Sequence, residues 1–465
     1  MQHSFLFQVF QGVAPEEFAR LRKFLQSPAH NRRSDVVRLF DWLVVQRQQI
    51  SPVWDKKSAF FAVYPTEPYD ADQFNLSMRY LLDLIEHFLA YEEWRSDERQ
   101  YRLSLMRALR HRELGAHFER NAQRLVQQQR ARTERHAGYH LLEYQLQSEI
   151  FEYRVVSQRN WQDNLPAVVD ALGQFFVLEN LRWSGMIAAL RLRSDAELPE
   201  APLAEAVRRY AEQPERPESL VLQYYSARIM AEPDNEAAFS ALCDLLPHST
   251  ELFPPSQSRD LYMTAINFCI RRQNKGERDY THRALNLYRQ ALEKGILQEN
   301  GILPKYTYHN INALAHLAGE GAWAEQFLET ARELLAPAVR DNAYHYNLAI
   351  CFFRKGDYSR TLDLLRSVES NEIFVQIDIR RMLLRVYFEL GEWLALDSLL
   401  TSFKAFLQRQ KNLGYHREIY LNLIKFTKKL LQHHQSNQAK RNALILKIKQ
   451  TPQIAERDWL LEKLF

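Results

Sequence analysis

Three short segments, Gly321-Ala322-Trp323, Gly356-Asp357-Tyr358 and Gly391-Glu392-Trp393, share the pattern glycine, any residue, aromatic residue. Successive glycines lie 35 positions apart, from 321 to 356 and from 356 to 391. A repeat period of about 20 to 50 residues is typical of supersecondary units that stack along an array. The triplets therefore predict a repeat protein in this part of the chain.

Apolar residues flank these glycines at three-to-four spacing, which predicts a helix on either side of each turn. Glycine can adopt the left-handed conformation that ends the first helix, and we expect the aromatic residue to wedge between the helix pair and its neighbour. Around Gly356 the apolar residues are Leu348, Ala349 and Phe352 before the turn, and Leu362, Leu365 and Val368 after it.

The positions Leu348-Ala349, Phe352, Gly356 and Tyr358 resemble the tetratricopeptide repeat. Thr361 and Leu396 depart from that pattern, which usually has alanine there. The resemblance covers roughly residues 258–410, and Gly276 with Tyr280 predicts an irregular upstream unit. It implies an all-α fold, a right-handed α-solenoid of antiparallel helix pairs.

In repeats of this family the inner face of each first helix commonly lines a groove for a peptide or protein segment. Carried onto this chain, the candidate groove residues are Tyr346, Ile350, Phe353, Arg381, Arg385 and Phe388. Packing between units is an equally good interpretation of the apolar members. Arg381 and Arg385 are the better candidates because a charged pair one helical turn apart has no reason to face a core.

The whole chain also resembles a family of uncharacterised bacterial helical proteins found mainly in Bacteroidota. The resemblance lies in residues 22–28 (RKFLQSP), 88–93 (FLAYEE) and 458–463 (DWLLEK). It implies a cytoplasmic repeat protein and supplies no activity.

The composition, 46% apolar and 25% charged, is that of a chain able to bury a core. Residues 69–165 contain no proline, and no alternating strand pattern of any length occurs, so we expect helices throughout. We predict a division into an N-terminal helical region (1–95), a helical array (96–255), the repeats (256–410) and basic C-terminal capping helices (411–465).

Cys243, Cys269 and Cys351 lie far apart inside apolar helical runs. An odd, sparse set does not suggest a disulfide framework, so we expect a reducing, cytoplasmic setting. The N-terminus lacks the pattern of a secretory signal, and no segment is apolar enough to predict a membrane-spanning helix or a membrane partner.

Between Lys404 and Lys449 there are eleven Lys or Arg residues and one acid, Glu418. One interpretation is the solvated face of capping helices, which the end of a solenoid requires. The other is a surface for nucleic acid or an acidic partner. The candidate basic patch consists of Lys425, Lys428, Lys429, Lys440, Arg441, Lys447 and Lys449.

A second basic stretch, from Arg95 to Arg135, has eleven arginines and five acids. We expect a salt-bridged internal face here. His136 and His140 have a spacing that can share a metal, and His433 and His434 are adjacent. Neither pair has the neighbouring carboxylates or thiols of a known metal motif, so we predict no metal and no cofactor.

No phosphate-binding loop, dinucleotide fingerprint or nucleophile elbow occurs in the sequence. The sequence therefore favours a non-catalytic scaffold that binds a protein or peptide. The alternative is a nucleic-acid-associated repeat protein that uses the basic C-terminal helices.

Overall fold

The computed structural model describes residues 1–158, 160–191, 205, 217–410, 413, 416–433 and 438–464. Within those residues the regular structure is helical, and the β-structure is an isolated bridge between Glu299 and Ile302. The predicted all-α class is confirmed.

The chain forms two compact units, one comprising Met1–Thr133 and Ala137–Phe175 and the other Glu134–His136 and Phe176–Phe465. The predicted four-part division stays a proposal beside this arrangement. The helices up to the end of the first unit are α1 (Phe5–Gly12), α2 (Phe18–Gln26), α3 (Ser34–Gln48), α4 (Lys56–Val63), α5 (Ala71–Ser96), α6 (Glu98–Arg110), α7 (Gly115–Arg130), α8 (Ala137–Ser157) and α9 (Leu165–Arg191), which the division cuts after Phe175.

The second unit continues as a series of helices that pack against their neighbours in chain order. They are α10 (Glu218–Ala231), α11 (Glu236–Leu245), α12 (Ser249–Leu252), α13 (Pro255–Asn274), α14 (Asp279–Glu293), α15 (Lys305–Leu317), α16 (Gly321–Ala331), α17 (Arg340–Lys355), α18 (Tyr358–Arg366), α19 (Ile373–Leu390), α20 (Trp393–Arg409), α21 (His416–His433), α22 (Gln438–Gln450) and α23 (Arg457–Glu462).

Four helix pairs form the repeated part of this unit: α13 with α14, α15 with α16, α17 with α18, and α19 with α20. Each second helix also contacts the first helix of the next pair, and α15 contacts α17 directly. The apolar faces of the pairs bury one another. For example, Cys351 of α17 is buried in the core built by α10 to α16. The predicted array of helix hairpins, including the irregular pair α13–α14, is confirmed.

A left-handed glycine ends the first helix of each pair. Gly356 (φ 78°) and Gly391 (φ 73°) occupy this position as predicted. The following amide closes the turn: the N–H of Asp357 donates to the carbonyl of Phe352 at 3.0 Å. This pattern satisfies helix-end carbonyl groups that would otherwise lack partners.

The prediction for the first triplet is wrong in one respect: its turn glycine is Gly319 (φ 78°), whereas Gly321 is the first residue of α16. The amide of Glu320 closes that turn on the carbonyl of Ala315 at 2.8 Å. The turn-to-turn distance is therefore 37 residues from Gly319 to Gly356, and 35 from there to Gly391.

The three aromatic residues after the glycines are not placed alike. Trp323 is half-buried, stacks on Phe327 of its own helix and lies beneath Arg289 of the preceding pair. Tyr358 is half-buried, packs edge-on against Phe353 of its own pair and accepts a hydrogen bond from Arg385 of the next pair at 3.2 Å. Trp393 packs on Phe388 but keeps 46% of its surface exposed. The expectation of a wedge between pairs is therefore wrong for Trp393.

We expect Gly356→Ala to lower the free energy of unfolding by about 1–2 kcal/mol, because a β-carbon at this positive φ strains the turn. Space is not the cause, since nothing lies within 4 Å of the added atom. Gly321→Ala is the matched control: its φ is not in the left-handed region, so stability should change by less than about 0.5 kcal/mol. Urea denaturation measures both, and equal losses would contradict the assignment of the turns.

Candidate functional site

A cavity of about 1080 Å³ lies in the second unit, along the first helices of three successive pairs. Its walls come from α15, α17 and α19, and Glu456, just before α23, closes one part of it. The second helices α16 and α18 do not line this cavity. The first helices therefore present one shared surface.

Most of the predicted groove residues meet in this cavity. Tyr346, Ile350 and Phe353 of α17 line it, together with Arg381 and Arg385 of α19. Phe388 does not line it. That ring packs edge-on against Trp393 and Trp459, with centroid distances of 5.5 Å and 5.2 Å.

The two predicted arginines are largely buried and already ion-paired. Arg381 contacts Glu456 and lies 2.8 Å from Asp378, and Arg385 lies 3.2 Å from the other oxygen of Glu456. The exposed fraction is 19% for the Arg381 side chain and 15% for that of Glu456. Burial of these arginines was not expected from the sequence, because Glu456 is distant from them along the chain.

The carboxylates more than compensate for the burial of Arg381. Burial alone would lower its pKa, but Asp378 and Glu456 raise the pKa above its ordinary value. Tyr346 donates from Oη to Asp378 at 2.9 Å, and burial together with that carboxylate raises the pKa of the phenol. Arg381 therefore stays charged and Tyr346 stays protonated.

The opposite end of the cavity is apolar and open. Tyr306 at the start of α15 is 59% exposed, and Phe374 at the start of α19 is 58% exposed, with Ile373 beside it. Large exposed apolar side chains grouped in a concavity are typical of binding surfaces. This end was not predicted from the sequence, because these residues precede the repeat positions that the family pattern marks.

Polar side chains also join α15 to α17. Asn312 Nδ2 donates to Asn347 Oδ1 at 3.1 Å, and His316 Nε2 lies 3.1 Å from Cys351 Sγ. Both pairs are 35 residues apart, from 312 to 347 and from 316 to 351, so the repeat period would have revealed them.

The contact between His316 and Cys351 is not an activated nucleophile. Cys351 is completely buried, and burial raises the pKa of its thiol to about 12. Burial, followed by the nearby Arg354, lowers the pKa of His316. Thiolate chemistry requires the opposite shift of the thiol pKa, so both groups are neutral packing residues.

The basic patch lies on α21 and α22. Lys425, Lys428 and Lys429 share α21, where Lys425 is exposed and the other two are half-buried. Burial, followed by Lys447 and Lys425, lowers the pKa of Lys429. Lys447 and Lys449 are exposed in the last turn of α22, and Lys440 and Arg441 lie near its start.

The second basic stretch forms the salt-bridged face that its sequence predicts. Glu149 of α8 is buried between Arg107 and Arg110 of α6, at 2.8 Å and 2.9 Å. Arg154 of α8 lies 2.8 Å from Glu119 of α7. These arginines are held by the carboxylates of the neighbouring helices.

Within the described part of the chain, no group of three or more His, Cys, Asp and Glu side chains is arranged to hold a metal ion. His434 and the side chain of His433 lie outside the described residues. Among the described helices, none has both the length and the apolar character needed to cross a membrane.

No family model matches this chain, and no curated protein sequence matches it significantly. A structural match is the crystal structure of the APC/C hetero-tetramer Cut9–Hcn1, with 13% sequence identity over 99% of this chain and 89% of that chain. Its TM-score of 0.31 is too low to establish a common fold. The fold assignment therefore rests on the helices and turns of this chain, and the likeness to the Bacteroidota proteins stays a prediction.

The lowered pKa of His316 predicts a pH dependence of stability. The folded protein disfavours the charged imidazole. The contribution of His316 to the stability of the protein is therefore highest above the ordinary pKa of 6.5 and falls as the pH drops through the lower pKa that His316 has in the folded state. We expect the stability advantage of the wild type over His316→Gln to shrink between about pH 8 and about pH 5.

Urea denaturation at several pH values measures this difference. His3→Gln, at an exposed position, controls for the loss of a histidine as such. Parallel stability curves for the wild type and His316→Gln would show that burial of His316 has no energetic consequence.

Proposed function

We propose that this protein is a non-catalytic scaffold whose cavity along α15, α17 and α19 holds a segment of a partner protein. The observation that carries the proposal is the placement of exposed aromatic side chains, Tyr306 and Phe374, at one end of a continuous concavity. Burying such side chains contributes about 25 cal/mol per Å² of apolar surface. A bound partner segment covers the side chains of Tyr306 and Phe374.

The cavity has room for a polypeptide segment. Its volume of about 1080 Å³ is near the upper limit of the roughly 300–1000 Å³ of ordinary small-molecule pockets, and it runs along three helices. The charged groups that line it are mostly ion-paired: Glu372 contacts Lys305 outside the lining, and Arg381 contacts Asp378 and Glu456. The hydrogen-bonded contact between Lys305 and Glu372 raises the pKa of Lys305 and lowers that of Glu372, away from the neutral range in which a general acid or base works.

Site-specific photocrosslinking tests this proposal. With a photoreactive phenylalanine at position 374, we expect discrete crosslinked adducts in native lysate, because a bound segment covers this exposed ring. Position 394 is the matched control, since Leu394 of α20 is 90% exposed but does not line the cavity. The adducts should be absent there, and Tyr306→Ala should weaken those formed at 374.

Identical adduct patterns at positions 374 and 394 would contradict a specific site, as would adducts that persist unchanged in Tyr306→Ala. Crosslinked adducts that contain no polypeptide would replace the scaffold with a different binding function.

The second candidate function is an association with nucleic acid through the basic patch. Lys429 lies close enough to Lys425 and Lys447 for their charges to lower its pKa after burial has done so. Among the residues that the structure describes, no carboxylate lies within 4.0 Å of these three lysines. A cluster of positive charges without nearby carboxylates attracts a polyanion such as nucleic acid.

The salt dependence of binding tests this candidate. If it is right, the wild type retards a generic duplex at low salt, and Lys425→Gln/Lys447→Gln reduces the slope of log K against log salt by about 2. Lys23→Gln/Lys57→Gln removes the same charge from exposed positions elsewhere and should leave the slope unchanged. Absence of binding at low salt would leave the patch as the solvated face of the capping helices.

A further inference from the structure

Five aromatic side chains of the first unit form an unbroken row of ring contacts. His30 stacks on Phe24 with ring centroids 4.0 Å apart, and the centroid of Phe24 lies 6.3 Å from that of Tyr91. The centroid of Trp94 lies 6.1 Å from that of Tyr91 and 5.1 Å from that of Tyr101. These five side chains, the aromatic row, therefore extend from the loop after α2 across α5 to α6.

The aromatic row faces solvent with its rings held in place. Tyr91, Trp94 and Tyr101 keep 43%, 38% and 40% of their surface exposed. The indole N–H of Trp94 donates to Ser104 Oγ at 3.3 Å, which joins α5 to α6 and satisfies the one polar atom of that ring. The row therefore offers ring faces to a partner, and adjacent exposed rings of this kind are typical of binding surfaces.

The segment that carries Phe24 and His30 is basic. Residues 18–34 contain five Lys or Arg side chains and neither Asp nor Glu. Carboxylates outside the segment pair with three of the five cations, which are Arg20 with Glu92, Arg22 with Asp41, and Arg33 with Asp35.

Positive charge remains beside the aromatic row. Lys23, Arg32 and Arg95 are exposed, and each is within two positions of a ring residue along the chain. Within the described residues, no carboxylate lies within 4.0 Å of these three cations. Glu93 is the exposed acid in the same part of the chain that no cation approaches so closely. Three cations against one acid leave a net positive charge, which is complementary to a polyanion.

The rings favour a single strand over a duplex. A base can stack on an aromatic side chain only when its own face is free, and in a duplex the neighbouring base pairs cover that face. The ring planes are tilted by 40° between Tyr91 and Trp94 and by 58° between Trp94 and Tyr101. Bases that stack on these rings must therefore splay apart, which a single strand allows.

We propose that the aromatic row of the first unit is a binding site for single-stranded nucleic acid, a function separate from the scaffold proposed for the second unit. Bases stack on Tyr91, Trp94 and Tyr101, and phosphate groups contact Arg32 and Arg95. Ring faces and phosphates are common to all sequences, so the site binds single strands with little sequence preference.

Fluorescence anisotropy with the full-length protein tests this site. The probes are labelled oligothymidylate and oligouridylate of about 15 nucleotides, and the tighter of the two identifies the sugar that the site prefers. We expect Trp94→Leu to weaken binding about tenfold, because leucine keeps the apolar bulk and removes the ring face. Trp94→Phe keeps a ring and should bind within about threefold of the wild type.

Trp393→Leu is the matched control, because Trp393 is 46% exposed but belongs to the second unit. It should bind both probes like the wild type. Arg32→Gln/Arg95→Gln should reduce the slope of log K against log salt by about 1.4, since a single strand releases about 0.7 counterions for each phosphate contact. Trp94→Leu should leave that slope unchanged, because stacking neutralises no phosphate.

A duplex probe separates the aromatic row from the C-terminal basic patch. Trp94→Leu should not change the affinity for a duplex. In the background of Lys425→Gln/Lys447→Gln, Trp94→Leu should still weaken single-strand binding about tenfold, because the two sites lie on different units.

Absence of single-strand binding at low salt would overturn the site, and so would equal affinities of the wild type and Trp94→Leu. Sedimentation velocity provides a further check: self-association of the wild type that Trp94→Leu abolishes would assign the row to a contact between two copies of the chain and overturn the proposal. The exposed arginine variants keep the test decisive if Trp94→Leu fails to fold. None of these outcomes bears on the cavity of the second unit.

Discussion

Tight chain reversal after each first helix is the constraint on which the rest of the second unit depends. The left-handed glycines at 319, 356 and 391 place each second helix directly behind its first helix. The second helices then bury the back of the first helices and pack against the next pair. The remaining face of α15, α17 and α19 is left to line the cavity, so a local backbone requirement determines which side chains are available to a partner.

Buried polar contacts fix how successive pairs meet. The contacts of Asn312 with Asn347 and of His316 with Cys351 repeat at the period of the fold, and a shift of α17 along α15 would leave buried amide groups without partners. An unsatisfied buried polar group costs about 1–3 kcal/mol. Apolar packing alone tolerates small shifts, so these contacts fix the register of α15 and α17, two of the helices that line the cavity.

The sequence predicted the helix pairs and the turns at Gly356 and Gly391 because only glycine is readily accommodated at a left-handed helix end. The assignment of Gly321 was wrong because Gly319 and Gly321 are two residues apart, and the aromatic pattern favoured the second. Five of the six candidate groove residues line the cavity, since their helical positions follow from the repeat. Phe388 is one turn further along α19, where Trp459 covers it.

What the sequence could not reveal is which charges remain uncompensated. The arginines of α6 are paired with Glu149, 42 and 39 residues away, and Arg381 is paired with Glu456, 75 residues away. Their pairing depends on helix packing that no local pattern encodes. By the number of basic residues alone, the stretch from Arg95 to Arg135 and the C-terminal patch look alike. Glu149 neutralises part of the arginine-rich stretch, whereas Arg354, Lys425, Lys429 and Lys447 have no carboxylate within 4.0 Å among the described residues. Whether a basic side chain can bind a partner thus depends on the carboxylates that the fold brings close to it. By that criterion, the arginine-rich stretch is less well placed to bind an anion than Arg354, Lys425, Lys429 and Lys447.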